Sequence, residues 1–286
     1  MRRQTSGRIY LWRRIRHGMG MTMSVMAMGI GLFFLFWILS TLLVNGVGAL
    51  GWDLLTQSTP APGSDGGGLL NAILGSVMMV GVSTAIVTPV GIFAGIYLAE
   101  YGERSTLAKL IRFLVDVMLS APSIVIGLFI YAVYVVHMRH FSGWAGSFAL
   151  SLIALPVVVR TTDNFLYLVP VNLREAAFAL GAPQWKVALM IRLKAVRAGV
   201  LNGVLLAVAR ISGETAPLLF TALNNQFFSV DLNQPMANLP VVIYQFAMSP
   251  YENWRALAWG GALLVTLGVL GLNVISRLVF AVRKPE

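Results

Sequence analysis

Two opposite charges stand four residues apart in an otherwise apolar stretch, within the run Ala209-Arg210-Ile211-Ser212-Gly213-Glu214-Thr215-Ala216-Pro217-Leu218. On a continuous helix this spacing puts Arg210 and Glu214 on one face, about 6 Å apart along the axis. Counted from Gly199 they lie about a dozen residues in, near mid-membrane for a spanning helix that rises about 1.5 Å per residue. A charge at that depth costs about 2.5–3.5 kcal/mol to insert, so it faces a bundle interior or an aqueous cavity. Two roles fit. Either the pair neutralises itself and fixes helix packing, or Arg210 attracts a translocating oxyanion while Glu214 holds it in place or rejects unwanted charge. A guanidinium suits phosphate because its planar donors match two oxygens and it keeps its proton. Pro217 is expected to break the helix shortly beyond, freeing the carbonyl of Gly213.

A second legible cluster lies between Asp163 and Arg197. Its pattern predicts two helices. Asn172 can cap the first, with Glu175 reaching back from the third position as in a capping box. Ala176, Ala177, Phe178 and Leu180 continue it, and Gly181 can take the left-handed conformation that ends it. Pro183 suits the first turn of a second helix running to about Arg197. A short Ala-rich helix ending in glycine is slim enough to enter a groove on a partner; a plain surface hairpin is the alternative.

The elements that must carry these clusters are set by hydropathy. Of 286 residues, 57% are hydrophobic and 11% charged, too few charges to clothe a water-exposed surface. Mean hydropathy is +0.78. Six apolar stretches, about 21–44, 71–98, 113–136, 145–162, 198–222 and 256–280, are near the roughly 20 residues a helix needs to cross a bilayer. Lipid offers backbone groups no partners, and nothing alternates like a barrel strand, so the expected fold is all-α with six transmembrane helices. In that topology residues 1–20 form a basic tail, 21–280 one transmembrane domain and 281–286 a second tail, with 163–197 as the largest loop. Eighteen of the 21 Lys and Arg residues then fall on one side, Arg139 and Arg255 on the other, and Arg210 inside a span. The positive-inside rule places both termini in the cytoplasm. The N-terminal apolar run of about 24 residues exceeds the roughly 7–15 of a cleaved signal core, so an uncleaved first span is expected.

The same residues exclude several chemistries. The net charge of +10 flanks spans, where it meets anionic lipid headgroups, and no basic stripe with interleaved aromatics suggests nucleic acid. No Gly-Lys-Ser/Thr loop for ATP occurs; the Gly-rich stretch around Ser64-Asp65-Gly66-Gly67-Gly68 reads as an extracytoplasmic connector. His17, His137 and His140 lie scattered at span ends, cysteine is absent, and no nucleophile–base pair stands out, so neither a metal nor a catalytic site is expected. Arg112 and Asp116, four apart, read as a helix-surface ion pair. Pro89 and Pro122 are candidates to kink or break their spans, and Gly91-xxx-Gly95 and Gly199-xxx-Gly203 to bring helices close.

The motif Glu175-Ala176-Ala177, three residues, Gly181, nine residues, Ile191-x-Leu193 resembles the EAA loop of ABC importer permeases. The resemblance implies a type I permease bundle in which Glu175, Ala176, Ala177 and Gly181 belong to a coupling helix that docks on a cytoplasmic ATPase. It departs at Lys194, where the family has proline, which puts in question the bend before span five. The run Arg210-x-x-Gly213-Glu214-Thr215-Ala216-Pro217-Leu218-Leu219 resembles the PstA-type permeases of Pst phosphate importers. So do Ile96–Gly102, Ala121–Leu128, Phe220–Leu223, Asn225-Gln226-Phe227 and Ile243–Ala247. Sulfate- and molybdate-type permeases share the Arg-x-x-Gly-Glu part, and the Thr-Ala-Pro continuation carries the phosphate reading. By this resemblance Arg210, Glu214 and Thr215 line the substrate pathway of a bacterial inner-membrane importer. The implied partners are a second, PstC-like permease subunit, a PstB-like ATPase dimer that binds ATP and Mg, and a periplasmic PstS-like phosphate-binding protein. The chain itself would hold no cofactor. An ATP-independent anion channel or carrier is the rival from another class.

Overall fold

A computed structural model describes the backbone of residues 4–102 and 105–281 and the side chains of 9–102 and 105–275. All regular structure among them is helical: α1 (Gln4–Val47), α2 (Trp52–Thr56), α3 (Leu70–Tyr101), α4 (Thr106–Ser120), α5 (Ser123–Ile130), α6 (Val136–Met138), α7 (Gly143–Tyr167), α8 (Val171–Ala179), α9 (Gln184–Lys186), α10 (Leu193–Ile211), α11 (Ala216–Leu219), α12 (Leu239–Ala247) and α13 (Glu252–Ala281). Wider π turns join α5 to α6 (Tyr131–Val135) and α9 to α10 (Val187–Arg192). Of the eighteen basic residues in the orientation argument, Arg2, Arg3, Arg104, Arg283 and Lys284 lie outside the described residues, as does all but Ala281 of the expected C-terminal tail. Residues 4–20 of the expected N-terminal tail are the first turns of α1.

Among the described residues, four helices are long and apolar enough to cross a membrane: Ile9–Val47, Leu70–Tyr101, Gly143–Tyr167 and Glu252–Ile275. The pair Thr106–Ser120 and Ser123–Met138 qualifies only jointly, bent by 108°. The single span expected at 113–136 is therefore two pieces. Pro122 has no N–H to give a helix and disfavours the helical conformation of the residue before it. Ala121 accordingly sits extended, at φ −69° and ψ 134°. Pro89, by contrast, is carried inside an unbroken α3. α10 has 19 residues with Lys194, Arg197 and Arg210 among them, and six crossings are compatible with these elements if α10 is the sixth.

At the centre, α7 is packed between α3 and α10. Small residues permit this. A Cβ on Gly95 of α3 would come within 2.5 Å of Thr162 Cβ, and Gly203 of α10 is pressed against Thr161. Met79, Val87, Leu150, Ile153, Val158, Ala207, Ile211 and Leu218 fill the core where the three helices meet α11.

The Arg112–Asp116 pair expected along one helix does not form. Arg112 reaches across to Asp163 of α7 (Nε–Oδ2 3.2 Å), and Asp116 pairs with Arg160 (3.6 Å). Arg112 also donates to the carbonyl of Leu98 (3.0 Å), closer than to that of Gly102 (3.5 Å), and to the Tyr167 hydroxyl (2.9 Å). A cation over the end of α3 meets the partial negative charge of its unpaired carbonyls. Asp163 offers a buried carboxylate that Asp116, half exposed, does not; one guanidinium thereby ties α3, α4 and α7.

Candidate functional site

The helix carrying the charged pair ends earlier than Pro217 predicts. α10 stops at Ile211, and Ser212-Gly213 make a turn in which Ser212 N–H donates to Val208 O (3.0 Å) and Glu214 N–H to Ile211 O (3.3 Å). Glu214 therefore does not share a helix with Arg210. The turn brings it back, leaving Arg210 Nε 4.0 Å from Glu214 Oε1, an ion pair without a hydrogen bond. The physical cause is Gly213-Glu214-Thr215, where a flexible glycine precedes a proline-started helix; Pro217 occupies the first turn of α11.

This geometry changes the electrostatics. Arg210 lies in the last turn of α10, where unpaired carbonyls favour a cation. Glu214 is largely covered and Arg210 stays 41% exposed. The face of α10 carrying Gly203, Val204, Ala207 and Ile211 is buried, whereas Asn202, Leu206 and Arg210, spaced by four, form an open stripe. The guanidinium at its end thus keeps donors that its carboxylate neighbour does not use. Thr215 precedes α11 without capping it through its side chain.

The segment after α11 is held by amides. Asn71 of α3 accepts from the N–H (3.2 Å) and hydroxyl (2.8 Å) of Thr59 and donates to the carbonyls of Asn225 (2.9 Å) and Gln226 (3.3 Å). Asn224 donates to Gln245 Oε1 (2.6 Å), and Asn238 caps α12 through Val241 N–H (3.0 Å). These contacts set the position of α11, whose Pro217 backs directly onto Gly127 of α5. Sequence reasoning passed over Asn71, since a lone Asn in an apolar run carries no partner information.

The 163–197 segment departs from expectation at its start and follows it at its end. α7 continues to Tyr167, so Asp163 is a buried helix residue. On the other side the helical path from Gln184 runs through Lys194 into α10 without interruption, in keeping with the missing proline. Asn172 does not cap α8; Pro170 precedes the helix and no side-chain cap bond forms. Gly181 does end it, at φ +77°, with Ala182 N–H bonded to Ala177 O (3.2 Å) and Gly181 N–H to Phe178 O (2.9 Å), the Schellman pattern. Glu175, Ala176 and Gly181 are exposed, whereas Ala177 is buried. Around them Leu173, Leu180 (89% exposed) and Trp185 project large apolar surface.

One pair at this end was not anticipated. Arg192, in the π turn before α10, makes a buried ion pair with Glu100 in the last turn of α3 and donates to the carbonyl of Leu166 (2.8 Å). Its partner lies 92 positions away, and no local spacing points to it.

The open-ended cationic helix, the amide-held segment behind it and the protruding hairpin are arranged on a bundle with known counterparts. Residues 91–284 match the family of binding-protein-dependent transport system inner membrane components, and the chain belongs to that family. Over nearly its whole length it is similar to proteins named phosphate transport system permease protein PstA. That of Pasteurella multocida is 62% identical over 94% of this chain and 95% of its own, and that of Haemophilus influenzae 59% identical over 96% and 97%. The one from Mycobacterium tuberculosis strain H37Rv is 32% identical over 94% of this chain and 89% of its own. Among solved structures, the fold matches a chain of the MetNI methionine ABC transporter in inward facing conformations. The TM-score is 0.63 at 19% identity, over 76% of this chain and 96% of that one.

Proposed function

We propose that this protein is a membrane-spanning permease subunit of an ATP-driven importer of inorganic phosphate, forming one half of an alternating-access pathway. The observation that carries the reading is Arg210, a permanently charged guanidinium at a helix end inside a membrane bundle, covered on one side and open on the other. An oxyanion can approach that open side, while Glu214 holds the side chain and keeps the local charge near zero between substrates. Thr215 adds a hydroxyl beside them. The PstA-named relatives make phosphate the substrate of choice over sulfate.

In this reading the open face of α10 is completed by a second, PstC-like permease subunit. The exposed hairpin around Glu175, Ala176 and Gly181 docks on a PstB-like ATPase dimer, which binds ATP and Mg. A PstS-like protein delivers phosphate from the periplasm. The basic residues flanking the spans put both termini and the hairpin in the cytoplasm. The permease performs no bond chemistry: ATP binding pulls the hairpin, and the bundle alternates between outward- and inward-open states.

The test is uptake by the complete complex in proteoliposomes. Labelled phosphate should accumulate only with ATP and all partners present, and excess sulfate should not compete. Uptake of sulfate but not phosphate, or phosphate uptake without the ATPase subunits, would overturn the reading.

A further inference from the structure

The hairpin meets the bundle in a peculiar way. A cavity of about 700 Å³ opens between them, lined by Tyr97, Tyr101 and Tyr167 from the bundle and by Val171 and Arg174 from α8. α8 packs instead against the π turn Val187–Arg192. Displacement of α8 reaches the bundle through that turn as well as through the short link 168–170 to α7, and Arg192 stands at the turn's inner end. A π turn interrupts regular helix hydrogen bonding and recurs at functional positions.

Arg192 joins two helix ends at once. One amino group pairs with Glu100 at the end of α3, the other donates to Leu166 O (2.8 Å) at the end of α7. Both side chains of the ion pair are nearly solvent-free, at 7% and 3% exposure. Ile96, Leu166 and Ala188 pack together beside it. Charges sheltered from water attract strongly, and separating them would leave each uncompensated. Such a tie moves as a unit, where an apolar contact can slide.

We propose that Glu100 and Arg192 form the strut that passes movement of the docking hairpin to α3 and α7, making both positioning residues for the coupling of transport to ATP hydrolysis. This rests on the reading of α8 as the ATPase-docking helix. α3 and α7 are the helices at the centre of the bundle, and α10 continues from Arg192 itself to Arg210, so one residue connects the hairpin to all three.

The test uses the full complex in proteoliposomes, recording ATP hydrolysis and labelled phosphate uptake together. A double replacement, Glu100→Met with Arg192→Met, removes both charges at similar volume, a kind of exchange that buried pairs often tolerate. It is expected to co-purify with the ATPase and hydrolyse ATP, yet to move about tenfold less phosphate per ATP, within the range by which coupling residues act. Arg192→Lys, which keeps the charge opposite Glu100, should recover part of that ratio. Should the Met pair not assemble, Glu100→Gln, of the same shape, is expected to assemble and to show a lowered ratio. A wild-type ratio in an assembled Met pair or Gln variant would overturn the strut, a purely structural role being satisfied by packing alone. Failure of the ATPase to co-purify with the unaltered chain would instead remove the docking reading, and the strut with it.

Discussion

Replacing Gly181 by Ala should weaken attachment of the ATPase without any steric clash. Gly181 has φ +77°, and a Cβ built there meets no atom within 4 Å. The whole effect is then backbone strain, since the left-handed conformation costs an L residue with a Cβ roughly 1–2 kcal/mol. Relief comes by undoing the Schellman turn, whose bonds are Ala182 N–H to Ala177 O (3.2 Å) and Gly181 N–H to Phe178 O (2.9 Å). A bias of that size shifts the balance between capped and frayed hairpin by a factor of roughly 5–30. If only the capped form docks and is otherwise near balance with the frayed one, apparent affinity for the ATPase falls by up to that factor. Titration of labelled ATPase subunits against the reconstituted permease reads it directly. Gly181→Asn, which tolerates the left-handed region, should lie close to the original, and Gly181→Pro should be worse than Ala. Unaltered affinity in the Ala variant, with the hairpin otherwise intact, would refute the reasoning.

Three further changes probe other parts of the molecule. Arg210→Gln should abolish phosphate uptake while the complex assembles, because the exposed guanidinium contributes little to packing; unchanged uptake would show the charge to be dispensable. Asp163→Asn should lower thermal stability by about 2 kcal/mol, less than the 3–5 kcal/mol typical of a fully buried pair because Arg112 is partly exposed. A melting temperature equal to that of the unaltered chain would rule out the tie among α3, α4 and α7. Gly95→Leu should drive α3 off α7, since even a Cβ comes within 2.5 Å of Thr162 Cβ; overpacking typically costs about 1–3 kcal/mol, read as loss of folded protein on detergent extraction.

Much of this was legible in the chain before folding. Apolar runs long enough to span marked α1, α3, α7 and α13, because burial in lipid is decided residue by residue along one helix. The left-handed turn at Gly181 was legible too, because φ preference is local. So was the uninterrupted passage through Lys194, where the expected proline is missing. The cap at Asn172 was not: a competent side chain is ignored when the cap position falls two residues earlier, on Pro170, and the helix starts at Val171.

Partner choice belonged to the tertiary structure. Arg112 had a carboxylate four residues away and took another 51 residues off, because Asp163 is buried beside the end of α3 and Asp116 is not. Arg192 found Glu100 across 92 positions by the same logic of a charge seeking compensation where water is absent. The four-residue spacing of Arg210 and Glu214 implied a shared helix face; the glycine turn before the proline-started α11 ends the helix at Ile211, and α11, packed against α5 and α7, holds that turn with the guanidinium left open. Sequence alone determined which runs are apolar enough to span and which charges lie in or beside them, since that depends on local hydropathy. Only the folded bundle decided which charges are spent on each other and which remains available, since that depends on contacts between segments far apart in the chain.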